Sequence, residues 1–102
     1  MDKYYAGQIV KSKHGKDTGK IYVVTGILLL DETGKTGVKR LALADAEKFN
    51  VNKPKLKNPA HVQIAFKNNK FCDELAGIIK QGKDINKGRL SQIIASLENA
   101  QI

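Results

Sequence analysis

From Gly7 onward, apolar residues come in short runs divided by turn chemistry. Ile9 and Val10 open one strand, Ile21-Tyr22-Val23-Val24-Thr25 form a second β-branched and aromatic run, and K13-H14-G15-K16-D17-T18-G19-K20 lies between them. This pattern predicts a hairpin. If the second strand continues through Gly26, then Ile21, Val23, Ile27 and Leu29 share one face, while Tyr22, Val24, Leu28 and Leu30 share the other. Apolar residues on both faces predict a long strand, sharply bent at Gly26.

Residues 31–37 are turn chemistry, and a further strand is expected over 38–44. Burying Leu41 and Leu43 turns Arg40 outward and leaves Lys39 free to snorkel to water. Residues 45–48 predict a single helical turn capped by Asp45. The segment N52-K53-P54-K55-L56-K57-N58-P59 cannot be regular helix, because two prolines interrupt it, and it favours an extended path. Val62, Ile64 and Phe66 then alternate with polar or small residues, which predicts a last strand with one apolar face.

After Asn69 the period changes. Phe71, Leu75, Ile78 and Ile79 fall at helical spacing, with Asn69 as N-cap and Gly82 as stop. Leu90, Ile93, Ile94 and Leu97 form the apolar stripe of a second helix that starts near Asp84 or Asn86. The expected architecture is mainly β with C-terminal α: a small, strongly bent barrel of about five strands over residues 1–69, then a helical extension over residues 70–102 packed on it.

Charge sharpens the picture. The chain has 102 residues and a net charge of +8. Residues 1–70 hold 14 Lys or Arg against 6 Asp or Glu, whereas residues 71–102 hold 4 against 4. The whole excess sits in the front segment, which points to a polyanionic partner there and none at the tail. A balanced tail also argues against a DNA-reading helix-turn-helix, whose recognition helix needs basic flanks. Cys72 is the one cysteine, so no internal disulfide or multi-cysteine zinc site can form, and a reducing cytoplasmic setting is expected. The start, MDKYYAGQIV, has no apolar run of signal-peptide length, and no membrane association is expected.

The Lys- and Gly-rich loop contains G-K-D-T-G-K, yet Ile21 stands where a Walker A loop needs Ser or Thr after its lysine. Its context is strand to strand, without a helix N-terminus to hold phosphates. It makes better sense as a backbone clamp on nucleic acid, with ammonium groups and amide N–H groups offered to phosphates. A solvated hairpin tip is the other reading.

Residues 7–24, GQIVKSKHGKDTGKIYVV, resemble a KOW motif, the strand–loop–strand unit of ribosomal and transcription-factor domains of SH3-like barrel form. Gly19 falls on the motif's hallmark glycine; Thr18 stands where many members place Lys or Arg, and Tyr22 replaces a second glycine. Residues 53–62, KPKLKNPAHV, resemble the basic segment of archaeal and eukaryotic large-subunit ribosomal proteins of the fourteen-e type and their small bacterial relatives. Together the two stretches imply a small SH3-like (KOW) barrel that binds RNA, most of all ribosomal RNA.

The implied RNA face comprises Lys11, Lys13, Lys16, Gly19 and Lys20 with Lys53, Lys55, Lys57 and Asn58. His14 adds a hydrogen bond to phosphate or sugar. Lys39 and Arg40, at the start of the third strand, complete the candidate set. Tyr4 and Tyr5 are candidates to stack on unpaired bases, with Tyr22 and Cys72 read as core, and His61 as structural. No catalytic constellation, metal site or cofactor is expected, and the free chain is expected to be a monomer. The C-terminal helices are candidates to dock ribosomal or translation-associated proteins. The alternative is a protein-interaction module of the transcription-factor KOW type, with incidental RNA affinity.

Overall fold

Strand β2 (Ile21–Leu29) is the spine of the structure. The computed structural model describes residues 4–29, 39–66 and 70–100. The expected turn at 31–37, Leu30, Val38 and the Asn69 cap lie outside the described residues. On one side β2 pairs antiparallel with β1 (Ile9–Ser12), and on the other with β3 (Lys39–Ala44). The edges are β4 (Lys55–Lys57) beside β3 and β5 (Val62–Ile64) beside β1. The five-stranded sheet therefore has the order β4-β3-β2-β1-β5. A 3-10 turn, Pro59–His61, joins the two edge strands and contacts β3, so the antiparallel sheet curls into a small barrel-like fold followed by two helices.

The two apolar faces of β2 enter different cores. Tyr22 and Val24 point into the barrel with Tyr4, Val10, Leu41, Leu43 and Val62. Val23 points outward, beside Ile9 and Ala44, and is covered by Leu75, Leu90, Ile93 and Leu97 from the helices. The helices therefore complete a second core, which explains why the strand is apolar on both sides.

Two expectations about faces need correction. A β-bulge falls between Val24 and Gly26, so Thr25 is the extra residue and the alternation flips after it. Ile27 consequently packs with Tyr22 and Val24, on the face opposite to Val23. Likewise Phe66 leaves the face of Val62 and Ile64, because the chain bends at Ala65, and it joins the helix-side core.

Residues 45–48 also differ from the helical turn expected. Asp45 does cap local amides, since its Oδ1 accepts from Glu47 N at 2.8 Å and Phe49 N at 3.0 Å. Ala46, however, has φ of 66°, which breaks the helix and makes a tight bend instead.

Helix α1 (Cys72–Lys80) ends at Gly82, whose φ of 72° allows Gly82 N to reach Ile79 O and Lys83 N to reach Ile78 O. Helix α2 (Lys87–Ala100) starts under Asn86, whose side chain accepts from Arg89 N at 2.9 Å. Arg89 then grips Glu74 of α1 through two bonds of 2.7 and 2.6 Å. The helix pair is fixed to the barrel by Asn50, whose amide accepts from Ile85 N at 2.7 Å and donates to Ile85 O at 3.0 Å. Among the described residues no helix is long and apolar enough to cross a membrane.

Candidate functional site

The loop between β1 and β2 is built around one carboxylate. Ser12 Oγ donates to Asp17 Oδ1 at 2.8 Å, the Tyr22 phenol donates to Oδ2 at 2.7 Å, and Lys57 Nζ donates to Oδ1 at 2.8 Å. Lys55 adds an ion pair at 3.2 Å. Burial alone would push the Asp17 carboxyl up, but Lys57, Tyr22, Ser12 and Lys55 together hold it well below the ordinary carboxylate range. The Tyr22 phenol is pushed up, first by burial and then by its bond to Asp17.

Backbone closes the same loop. Ser12 N donates to Lys20 O, Gly19 N to Ser12 O, and Lys20 N to Asp17 O, at 2.8 to 2.9 Å. Gly19 has φ of 92° and nothing within 4 Å of the place a Cβ would take, so its requirement is conformational. Lys57 Nζ also donates to His14 O at 3.0 Å, which ties the tip to β4. On the far side, Lys20 pairs at 2.6 Å with the buried Asp45 carboxylate. Burial would raise Asp45, but Lys20 and the Phe49 and Glu47 amides bring it below the ordinary range.

This bonding divides the candidate residues. Lys11, Lys13 and Lys16 are exposed and make no ion pair among the described residues. Lys11 and Lys13 stand on the same side of extended chain, since Lys13 N continues the ladder to His61 O at 2.9 Å. The amides of His14, Gly15, Lys16 and Asp17 have no acceptor among the described residues, on a tip whose His14, Gly15 and Lys16 are exposed.

Lys55 and Lys57 reach the same place but are committed inward. The Lys57 side chain is only 11% exposed, and Lys55 lies over the Tyr22 and Phe49 rings while bonding Asp17. Lys20 is likewise engaged with Asp45. Asn58 is a cap, accepting from Ala60 N at 2.9 Å. Lys53 is exposed in the turn whose Asn52 bonds Asp84, on the side of the helix link. Lys39 and Arg40 pair with Leu29 and Leu28, at the end of β2 remote from the loop. At about 3.3 Å per residue they stand roughly 20 Å or more along the strand from Ile21, outside the loop cluster.

The aromatic candidates divide too. Tyr4 is buried in the barrel, with its hydroxyl donating to Val62 O at 3.1 Å, so it offers no stacking face; Tyr5 is 57% exposed. His61, read as structural from sequence, is exposed and lies against His14 with ring centroids 4.7 Å apart. Cys72 packs against Gly7, and burial pushes its thiol up.

No protein-family model matches this chain, and no curated protein is detectably similar to it. Sequence reasoning passed over Asp17, and it read Asp45 only as a cap, without its ion pair to Lys20. The available signal was an acid surrounded by lysines, with a tyrosine five positions on; such a residue is placed to organise the cations around it.

Proposed function

We propose that the chain is an RNA-binding protein that clamps phosphates with the β1–β2 loop. The observation that carries the reading is the loop itself: Lys11 on β1 and Lys13 and Lys16 beyond it are exposed and without an ion pair among the described residues, and the amides of residues 14–17 have no acceptor there, on a loop held by Asp17 and Asp45. Lysines and amides that contact phosphate set affinity and register without reading bases. A loop held in one conformation before binding loses less entropy on association. In this reading Lys55, Lys57 and Lys20 are positioning residues, and Lys11, Lys13, Lys16 and His14 touch the RNA.

The resemblance of residues 7–24 and 53–62 to KOW-type ribosomal proteins makes folded ribosomal RNA the first partner to test, and a cytoplasmic site of action goes with it. The experiment is sedimentation of the tagged chain with ribosomal particles, followed by ultraviolet crosslinking. The reading expects RNA crosslinks at residues 11–16. Crosslinks to protein alone would contradict it.

A further inference from the structure

The pairing of β1 with β5 brings together two histidines that are remote in sequence. Ser12 faces Val62 in the ladder, and Lys13 N extends it to His61 O at 2.9 Å, so Lys13 and His61 stand opposite each other. The His14 ring meets the His61 ring, with centroids 4.7 Å apart. Lys13, His14 and His61 are all exposed, and the imidazole nitrogens have no hydrogen-bond partner among the described residues. The backbone beneath them is held. His61 N donates to Asn58 O at 2.9 Å, and the His14 carbonyl accepts from Lys57 Nζ at 3.0 Å and from Ser12 Oγ at 3.1 Å. Two open imidazoles beside an open ammonium therefore form one fixed patch at the root of the loop.

We propose that His14 and His61, with Lys13, hold an RNA phosphate and take up a proton as the RNA binds, an inference that rests on the phosphate-clamp reading and adds His61 and a pH dependence to it. A neutral imidazole offers one N–H donor, whereas a protonated one offers two together with a positive charge. An anion set beside the ring favours the protonated form. The charged groups around the pair are Lys13, Lys16 and Asp17 of the loop and Lys55 and Lys57 of β4; the 3-10 turn also contacts β3, whose charged residues are Lys39 and Arg40. Strand β5 carries none, and beneath the turn the Tyr4 phenol donates to Val62 O. Asp17 is the acid of this set, and Lys55 and Lys57 already bond it. The counter-charge for a proton on the histidine pair therefore comes from the bound phosphate. Imidazole is the side chain whose ordinary titration falls between about pH 5 and 8, a range in which phosphodiesters stay anionic and lysines cationic. Affinity for RNA consequently rises as pH falls.

The test is the affinity of the full chain for a folded ribosomal RNA fragment at fixed salt, between about pH 8 and about pH 5.5, for the native protein, His14→Gln, His61→Gln and the double variant. The native affinity should rise about tenfold over that range, and its salt dependence should steepen by up to about one in slope. Each single variant should weaken the rise, and the double variant should be flat while keeping the native melting temperature. Proton NMR of the native chain should show both imidazole signals moving when RNA is added. RNA binding that is independent of pH, or a rise that survives in the double variant, overturns the histidine contact and leaves the clamp standing. A rise abolished by His14→Gln and untouched by His61→Gln overturns the role of His61. Failure to bind RNA at any pH overturns the clamp reading, and the histidine contact with it.

Discussion

Asp17 and Lys57 meet at 2.8 Å across a sequence separation of 40 residues, and their contact joins a hairpin loop to an edge strand. The pairing gives the basic chain an internal counter-charge at the point where its two lysine-rich segments converge. Replacing Asp17 by Asn removes that charge and leaves Lys55 and Lys57 facing each other, with weaker acceptors for Ser12 and Tyr22. The expected loss is about 1–3 kcal/mol. Chemical denaturation should show it, and an unchanged midpoint would mean that the carboxylate contributes nothing to the fold.

Stability should depend on pH through the same group. The folded-state pKa values of Asp17 and Asp45 lie below their unfolded values, near 3.8, so the unfolded chain takes up protons first as pH falls. Their contribution is complete above that unfolded value and is lost as pH descends toward the folded ones. Thermal melts should be flat from neutral pH to about 5 and fall steeply below about 4, with a shallower fall for Asp17→Asn.

Two glycines should fail for different reasons. At Gly19, alanine meets empty space and costs only its positive φ, about 1–2 kcal/mol. At Gly7, φ is also positive, and a Cβ would lie 2.6 Å from the carbonyl oxygen of Cys72 in α1. Overpacking adds about 1–3 kcal/mol there. Calorimetry should therefore rank Gly7→Ala well below Gly19→Ala, and equal midpoints would argue against close docking of α1.

Asn50 should matter more than an ordinary surface amide. Its side chain satisfies both backbone groups of Ile85, so Asn50→Ala strands a half-buried N–H and C=O at the entry to α2. A cost of about 1–3 kcal/mol is expected. Amide exchange should accelerate first at Ile85; unaltered protection would show that the helix pair is held by its apolar contacts alone.

These contacts also show where sequence reasoning reaches its limit. The strands around Ile9, Tyr22 and Leu41, and the stripe Leu90, Ile93 and Leu97, were legible because period-2 and helical spacing report burial directly. The side of Ile27 was not, because the bulge residue Thr25 has no marked composition and inverts every later position. The site was legible as a set of cations, since charge and glycine spacing need no partner to be recognised. Its division into bonded and open lysines was not, because this depends on Asp17 and Asp45, which reach residues remote in sequence. His61 likewise acquires its neighbour, His14, only when β1 and β5 align.

The central claim is that the open lysines hold phosphate while the bonded ones hold the loop. Its most direct measurement is the affinity for a folded RNA as a function of salt, for the native chain and for Lys13→Ala/Lys16→Ala. The logarithm of affinity should fall linearly with that of salt concentration, and the double variant should reduce the slope by about 2 while retaining the native melting temperature. An unchanged slope in a folded double variant would contradict the clamp.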